Sequence, residues 1–294
     1  MNDITPSPTH EHITTVRKPL IRWAGGKRLI VPKLFRFVPK DFGTYYEPLI
    51  GSGALFFALN PHRAVVADVN PELINFYTVV KNNPREFFRA VQKLTASKQT
   101  YYRIRATTPS SALVRAVRFF YLVRLSWNAL YRVNRAGQFN VPFGGRTPRQ
   151  LVGLYEILEA STSLKRARLM CNDFEKVSSR AKDGDFVYFD PPYPKGASDN
   201  NGFARYHATQ FDFDDHKRMF CLTSDLVQKG VKVLITEAAT KKILDLYQQD
   251  FYITIIRSRS LIAAKGEHRG DVSEAIITSY NSSTNEDGGK GETA

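Results

Sequence analysis

Asp190-Pro191-Pro192-Tyr193 is the stretch of this chain whose residue types combine most directly into chemistry. It follows the apolar run Phe186–Phe189, which reads as a strand. It therefore falls at a strand's carboxyl end, where open α/β sheets bind ligands. Proline carries no N–H, so the carbonyls around Pro191 and Pro192 are presented without competing donors. A carboxylate beside such carbonyls is a pair of acceptors, suited to an amino group with two hydrogens to give. An amino group conjugated to a ring is a poor nucleophile, because its lone pair is delocalised. Holding both hydrogens favours a tetrahedral nitrogen with the lone pair free to attack. Tyr193 can stack on a planar ring. A stiff Pro-Pro turn is the alternative, and the full four-residue run at a strand end is more specific than that.

Two glycine elements lie upstream. Glu47-Pro48-Leu49-Ile50-Gly51-Ser52-Gly53 places a Gly-x-Gly turn after a strand expected over Thr44–Ile50. Glycines there permit tight backbone angles and close approach of a ligand. An ordinary turn would look the same. The third glycine of the dinucleotide fingerprint is replaced by Phe56, which disfavours a nicotinamide cofactor. Asp68 ends the next strand, Ala64–Val69, where an acid accepts hydrogen bonds from ribose hydroxyls or caps a helix. Arg22-Trp23-Ala24-Gly25-Gly26-Lys27 is not a P-loop, since Ile21 stands where glycine is required and Arg28 follows the lysine. Its Gly-Gly can wrap a ligand and Lys27 can neutralise a carboxylate; otherwise it is a turn before a helix over Arg28–Phe37.

The elements needed to position these residues alternate. Helices are expected at Ala54–Leu59, after Asn70-Pro71 (cap and first position), at Lys217–Gln228 and at Lys241–Gln249. Further strands are expected at Ala167–Cys171, Phe186–Asp190, Val231–Thr236, Phe251–Arg257 and Glu274–Tyr280. Short β-branched runs between helices imply an α/β, mostly parallel, doubly wound sheet. A long segment, helical to about Asn128, interrupts the alternation and is expected to form a second lobe.

That segment also carries the charge. The chain's net charge is +14, yet Phe87 to Tyr155 contains no Asp or Glu and twelve Lys and Arg. The excess suits an anionic partner, with a solvated basic face as the alternative. No apolar run is long enough to cross a bilayer, and no signal-peptide pattern appears. Cys171 and Cys221 lack metal-ligand spacing and read as buried free thiols of a reducing cytosol. Residues 1–17 read as a flexible arm and 281–294 as a disordered tail.

Taken together and in this order, the motifs resemble the Dam-type, α-group DNA adenine-N6 methyltransferases, over about Leu20 to Tyr280. The matching runs are Trp23–Lys27, Glu47–Gly53, Ala67–Asn70, Arg135–Gly144 and Asp190–Tyr193. The resemblance implies a Rossmann-like, seven-stranded methyltransferase sheet with an antiparallel last strand. It implies a catalytic domain over 18–80 and 164–280, with an inserted, mainly helical recognition domain over 81–163 carrying a β-hairpin. The cofactor implied is S-adenosyl-L-methionine, held by Trp23, Ala24, Gly25, Gly26, Lys27, Glu47, Pro48, Gly51, Ser52, Gly53, Asp68, Asp173, Phe174 and Asp190. The partner implied is double-stranded DNA, with the target adenine flipped out of the duplex. The hairpin around Asn134 and Arg135, with its tip near Gly137, would enter the major groove. Arg132 would pair with a guanine, Leu130 and Pro142 would touch a thymine methyl, and Arg22 would read an outer guanine. Trp127 and Asn128 would intrude near the flipped base, though Trp127 stands where relatives commonly have Tyr; Trp127 and Leu130 equally suit core packing. GATC is the expected site. A monomer without an obligate protein partner is expected, cytoplasmic and nucleoid-associated or phage-encoded. The rival readings are a catalytically silent DNA-binding protein on this fold, and an amino-group methyltransferase acting on RNA or protein, which usually carries Asn-Pro-Pro-Tyr.

Overall fold

In a computed structural model, residues 17–194, 211–259 and 271–281 are described. The expected arm and tail lie outside them, apart from Arg17 and Asn281. Seven strands form one sheet: β1 (Tyr45–Glu47), β2 (Ala64–Asp68), β3 (Ala167–Cys171), β4 (Phe186–Phe189), β5 (Lys232–Ala238), β6 (Tyr252–Arg259) and β7 (Asp271–Thr278). Their order is β3-β2-β1-β4-β5-β7-β6. β1 to β5 pair in parallel, while β7 runs antiparallel to both β5 and β6. The α/β sheet with an antiparallel last strand is thus the one expected.

The helices are α1 (Val31–Leu34), α2 (Ala54–Leu59), α3 (Pro71–Asn82), α4 (Pro84–Gln92), α5 (Lys98–Arg105), α6 (Ala112–Leu125), α7 (Leu154–Lys165), α8 (Phe174–Ser178), α9 (Phe213–Gln228) and α10 (Lys241–Tyr247). Local chemistry sets several boundaries. β1 stops at Glu47, short of the expected Ile50, because Pro48 has no N–H for the ladder. Asn70 caps α3 as expected, its Oδ1 accepting from Glu72 and Leu73 N–H with Pro71 in the first turn. α9 begins four residues before the expected Lys217, because Asp212 and Asp215 form a reciprocal capping box. The helix expected over Arg28–Phe37 shrinks to α1 and a following 3-10 turn, with Pro32 setting its start.

Two apolar clusters cover the two faces of the sheet. One contains Tyr45, Val66, Tyr188 and Leu234, and runs without a break through α3 and α6 to Leu130, Phe139 and Val141. The other contains Val187, Phe189, Val233 and Ile235, packed on α8, α9 and α10. Both cysteines are exposed, contrary to the buried thiols expected. Cys171 ends the edge strand β3, and Cys221 lies on the solvent side of α9.

Candidate active site

The parallel strands bring three loops to one end of the sheet. The loop after β1 turns at Gly51 (φ +46°) and Gly53 (φ +67°). These left-handed angles suit glycine. A Cβ on Gly51 would also lie 2.9 Å from Cδ1 of Trp23. The Trp23–Lys27 loop therefore sits directly on the Gly51–Gly53 turn. Asp68, at the end of β2, accepts from Gly51 N–H (3.2 Å) through one oxygen and from Asn70 N–H (2.9 Å) through the other. The Asp68 side chain thus ties the glycine turn to the start of α3, while Asn70 does the helix capping.

Lys27 is almost fully buried, and its ammonium has three protons to donate. They go to Asp190 Oδ1 at 2.9 Å, to Tyr193 OH at 2.9 Å and to the Gly25 carbonyl at 3.2 Å. Glu274 Oε2 of β7 lies 3.9 Å away. Burial would pull the lysine down, but Asp190, Tyr193 and Glu274 outweigh it, so Lys27 stays charged. From sequence, Lys27 can neutralise a carboxylate, such as that of a cofactor, or belong to a turn before a helix. The fold seats its ammonium on the Asp190 carboxylate, where the N-terminal loop meets the end of β4. Asp190 is pushed up by burial and held back by Lys27 and by Thr236, whose Oγ1 donates to the same Oδ1 at 2.9 Å. Among the described residues, neither Asp190 Oδ2 nor the Pro191 carbonyl receives a hydrogen bond. One carboxylate oxygen is anchored, and two acceptors that take no hydrogen bond from the described residues lie beside it.

Other residues singled out from sequence are placed less directly. Glu47 is buried beneath the glycine turn, where Oε2 accepts from Tyr45 OH (2.7 Å) and Phe56 N–H (3.1 Å). It braces the turn from below and does not face an open site. Asp173 caps α8 and pairs with Arg218, whose guanidinium lies over the Phe174 ring. Trp23 stacks on Tyr131 at 5.7 Å, linking the Trp23–Lys27 loop to the basic segment.

Within that segment Val133 and Phe139 form an antiparallel bridge, as do Ser126 and Phe143. Asn134 Oδ1 accepts from Ala136 and Gln138 N–H, and Gly137 takes φ +74° at the tip. The hairpin anticipated at Arg135–Gln138 is therefore formed. Arg132 Nε donates to Asn140 Oδ1 at 2.9 Å. Pro142, Asn128 and Arg22 are exposed. Leu130 is buried in the core, so the packing alternative describes it. Several cations of the acid-free segment are spent internally: Arg115 on Glu72, Arg118 on the carbonyls of Ile104 and Arg105, and Arg105 on the Val141 carbonyl.

Residues 23–261 match the family model of D12 class N6 adenine-specific DNA methyltransferases. The chain belongs to the D12 class of N6 adenine-specific DNA methyltransferases. Relatives of the D12 methyltransferase include a Type II methyltransferase, M1.LlaDCHI of Lactococcus lactis subsp. cremoris, 36% identical over 273 residues and covering 90% of this chain and 95% of that one. The DNA adenine methylase of Escherichia coli strain K12 is 31% identical, covering 87% and 93%. The DNA N-6-adenine-methyltransferase of Escherichia phage P1 is 31% identical, covering 85% of this chain and 34% of its own length. The D12 methyltransferase acts on adenine in DNA with S-adenosylmethionine as methyl donor, as the sequence motifs led one to expect. The paired glycines with positive φ and the two-point tether of Asp68 form a cradle at the strand ends that fits such a cofactor. Sequence reasoning missed Thr236, Tyr188 and Glu274 in this D12 site. A charged residue heading the apolar run Ala275-Ile276-Ile277 was the available signal for Glu274; nothing local marked the other two.

Proposed function

We propose that Asp190 Oδ2 and the Pro191 carbonyl accept the two hydrogens of the target adenine's amino group. The observation supporting this is the anchoring of Asp190 Oδ1 by Lys27 and Thr236, which leaves Oδ2 open beside a donor-free carbonyl. Tyr193 would stack on the flipped base. Trp23, the Gly51–Gly53 turn, Asp68, Asp173 and Phe174 would hold S-adenosylmethionine. That cofactor supplies an electrophilic methyl group on a sulfonium. The work of the chain is to fix the amino nitrogen with its lone pair directed outward, in a water-poor setting that strengthens the acceptors.

Recognition is assigned to a region over 81–163, with catalysis over 18–80 and 164–280. The formed hairpin, its exposed tip and the exposed Pro142 support major-groove entry. Arg132 would pair with guanine once released from Asn140, Pro142 would meet a thymine methyl, and the site read would be GATC. Asn128 and Trp127 would approach the flipped base, and Arg22 an outer guanine. The working unit is taken as a monomer, cytoplasmic and nucleoid-associated or phage-borne. The test is methylation of plasmid by the purified protein with labelled cofactor. Wild type is expected to block a nuclease sensitive to adenine methylation in GATC, and Asp190→Ala to transfer no methyl. An active Asp190→Ala would overturn the acceptor role; label incorporation with GATC left fully cleavable would overturn the site.

A further inference from the structure

The register of β4 on β5 sets Tyr188 beside Leu234 and Phe189 beside Ile235. Continued by one residue, it brings Asp190 beside Thr236. Side chains alternate across a sheet, so Tyr188, Asp190 and Thr236 share one face. Thr236 and Tyr188 are fully buried, and a buried hydroxyl must find partners. Thr236 Oγ1 lies 2.9 Å from Asp190 Oδ1 and 2.9 Å from Tyr188 OH, with the Phe189 carbonyl farther off at 3.5 Å. A threonine hydroxyl has one proton, and a carboxylate is its strongest acceptor. Thr236 therefore donates to Asp190, and Tyr188 must donate to Thr236. The result is a directed chain, Tyr188 OH to Thr236 Oγ1 to Asp190 Oδ1.

Lys27 binds that same oxygen at 2.9 Å. We propose that Thr236, oriented by Tyr188, is a positioning residue that selects Oδ1 as the anchored oxygen of Asp190 and so turns Oδ2 toward the substrate amino group. Lys27 supplies charge on that oxygen, but an ammonium is a compact point charge with no directional preference of its own between the two carboxylate oxygens. The hydroxyl of Thr236 comes from a strand and has one direction. It contacts no substrate; it acts through Asp190. The inference rests on the reading that Asp190 accepts from the amino group.

The groups facing Asp190 are Lys27 from the N-terminal loop, Glu274 from β7, Tyr188 from β4, Tyr45 and Glu47 from β1, and Tyr193 beside it. Only Lys27 and the Thr236 hydroxyl favour the ionised carboxylate among its strongest neighbours. Removing the hydroxyl therefore raises the pH at which Asp190 ionises. The test uses Thr236→Val, which keeps the shape, with Thr236→Ser as rescue and Tyr188→Phe as the outer link. Wild type and Asp190→Ala are assayed first: an inactive wild type or an active Asp190→Ala would refute the underlying reading alone. Thr236→Val is expected to lower kcat about tenfold. Both KM values should hold, the acidic limb of the kcat–pH profile should move upward, and Thr236→Ser should restore both. Tyr188→Phe should shift the limb in the same direction by less. A Thr236→Val enzyme with the wild-type limb, or one whose defect serine does not repair, overturns the proposal. If Thr236→Val does not fold, the Tyr188→Phe profile decides, and an unmoved limb overturns it.

Discussion

Asp190 follows β4 and Glu47 ends the neighbouring β1; both carboxylates are largely removed from water, yet their partners differ. Asp190 has a cation, Lys27, against it. Glu47 has only neutral donors, Tyr45 OH and Phe56 N–H, and burial pushes it up from 4.5 to about 8. A raised folded value means the native state keeps a proton that the unfolded chain has already released. This contribution is present below about pH 4.5 and is lost as pH rises through about 8. Glu47→Gln keeps an acceptor for Tyr45 without a charge to bury. Thermal unfolding should show a higher Tm than wild type at pH 8.5 and nearly the same Tm at pH 5. Equal differences at both pH values would show that Glu47 does not titrate in this window.

The loops between elements carry the residues proposed to hold the cofactor, and the elements hold them still. In the turn after β1, left-handed Gly51 lies close against Trp23. Trp23 in turn stacks on Tyr131, and Tyr77 OH donates to the Gly51 carbonyl at 2.8 Å. Gly51→Ala adds a methyl where a ring already lies and at a φ that L residues disfavour, at about 1–3 kcal/mol. Weaker S-adenosylmethionine binding by calorimetry is expected, with DNA binding in the absence of cofactor retained. Cofactor affinity equal to wild type would remove this turn from the site. Asn128 and Ala129 also adopt left-handed angles without being glycine, and they sit where α6 hands over to the hairpin. Such non-glycine strain concentrates at functional sites.

Across the molecule, the charge is divided into structural and available cations. Arg105, Arg115 and Arg118 bond within the protein, and burial pulls Arg118 and Arg124 down. Arg89, Lys93, Lys98, Arg103, Arg135, Arg146 and Arg149 are exposed. DNA affinity should fall steeply with salt, because each neutralised phosphate releases counterions. Arg146→Ala should reduce the slope of log K against log salt by about 1. Arg115→Ala should leave the slope unchanged and cost up to about 1 kcal/mol of stability, as a partly exposed ion pair does. Equal slopes for wild type and both variants would place Arg146 off the DNA path.

The amino-acid sequence was sufficient for the motifs, their order, the alternation of strands and helices, and the hairpin tip, because each depends on residues close in the chain. Asn70-Pro71 and Asp190–Tyr193 are legible for that reason. The partners of the Asp190 carboxylate were not. Lys27, Thr236 and Glu274 come from three separate parts of the chain, and only the order β1-β4-β5-β7 brings them to one end of the sheet. Likewise, which cations remain for DNA, and that Leu130 is core while Pro142 is surface, depend on packing between α5, α6 and the hairpin. Local pattern records what a residue can do; burial and long-range contact decide which of its options the folded chain leaves open.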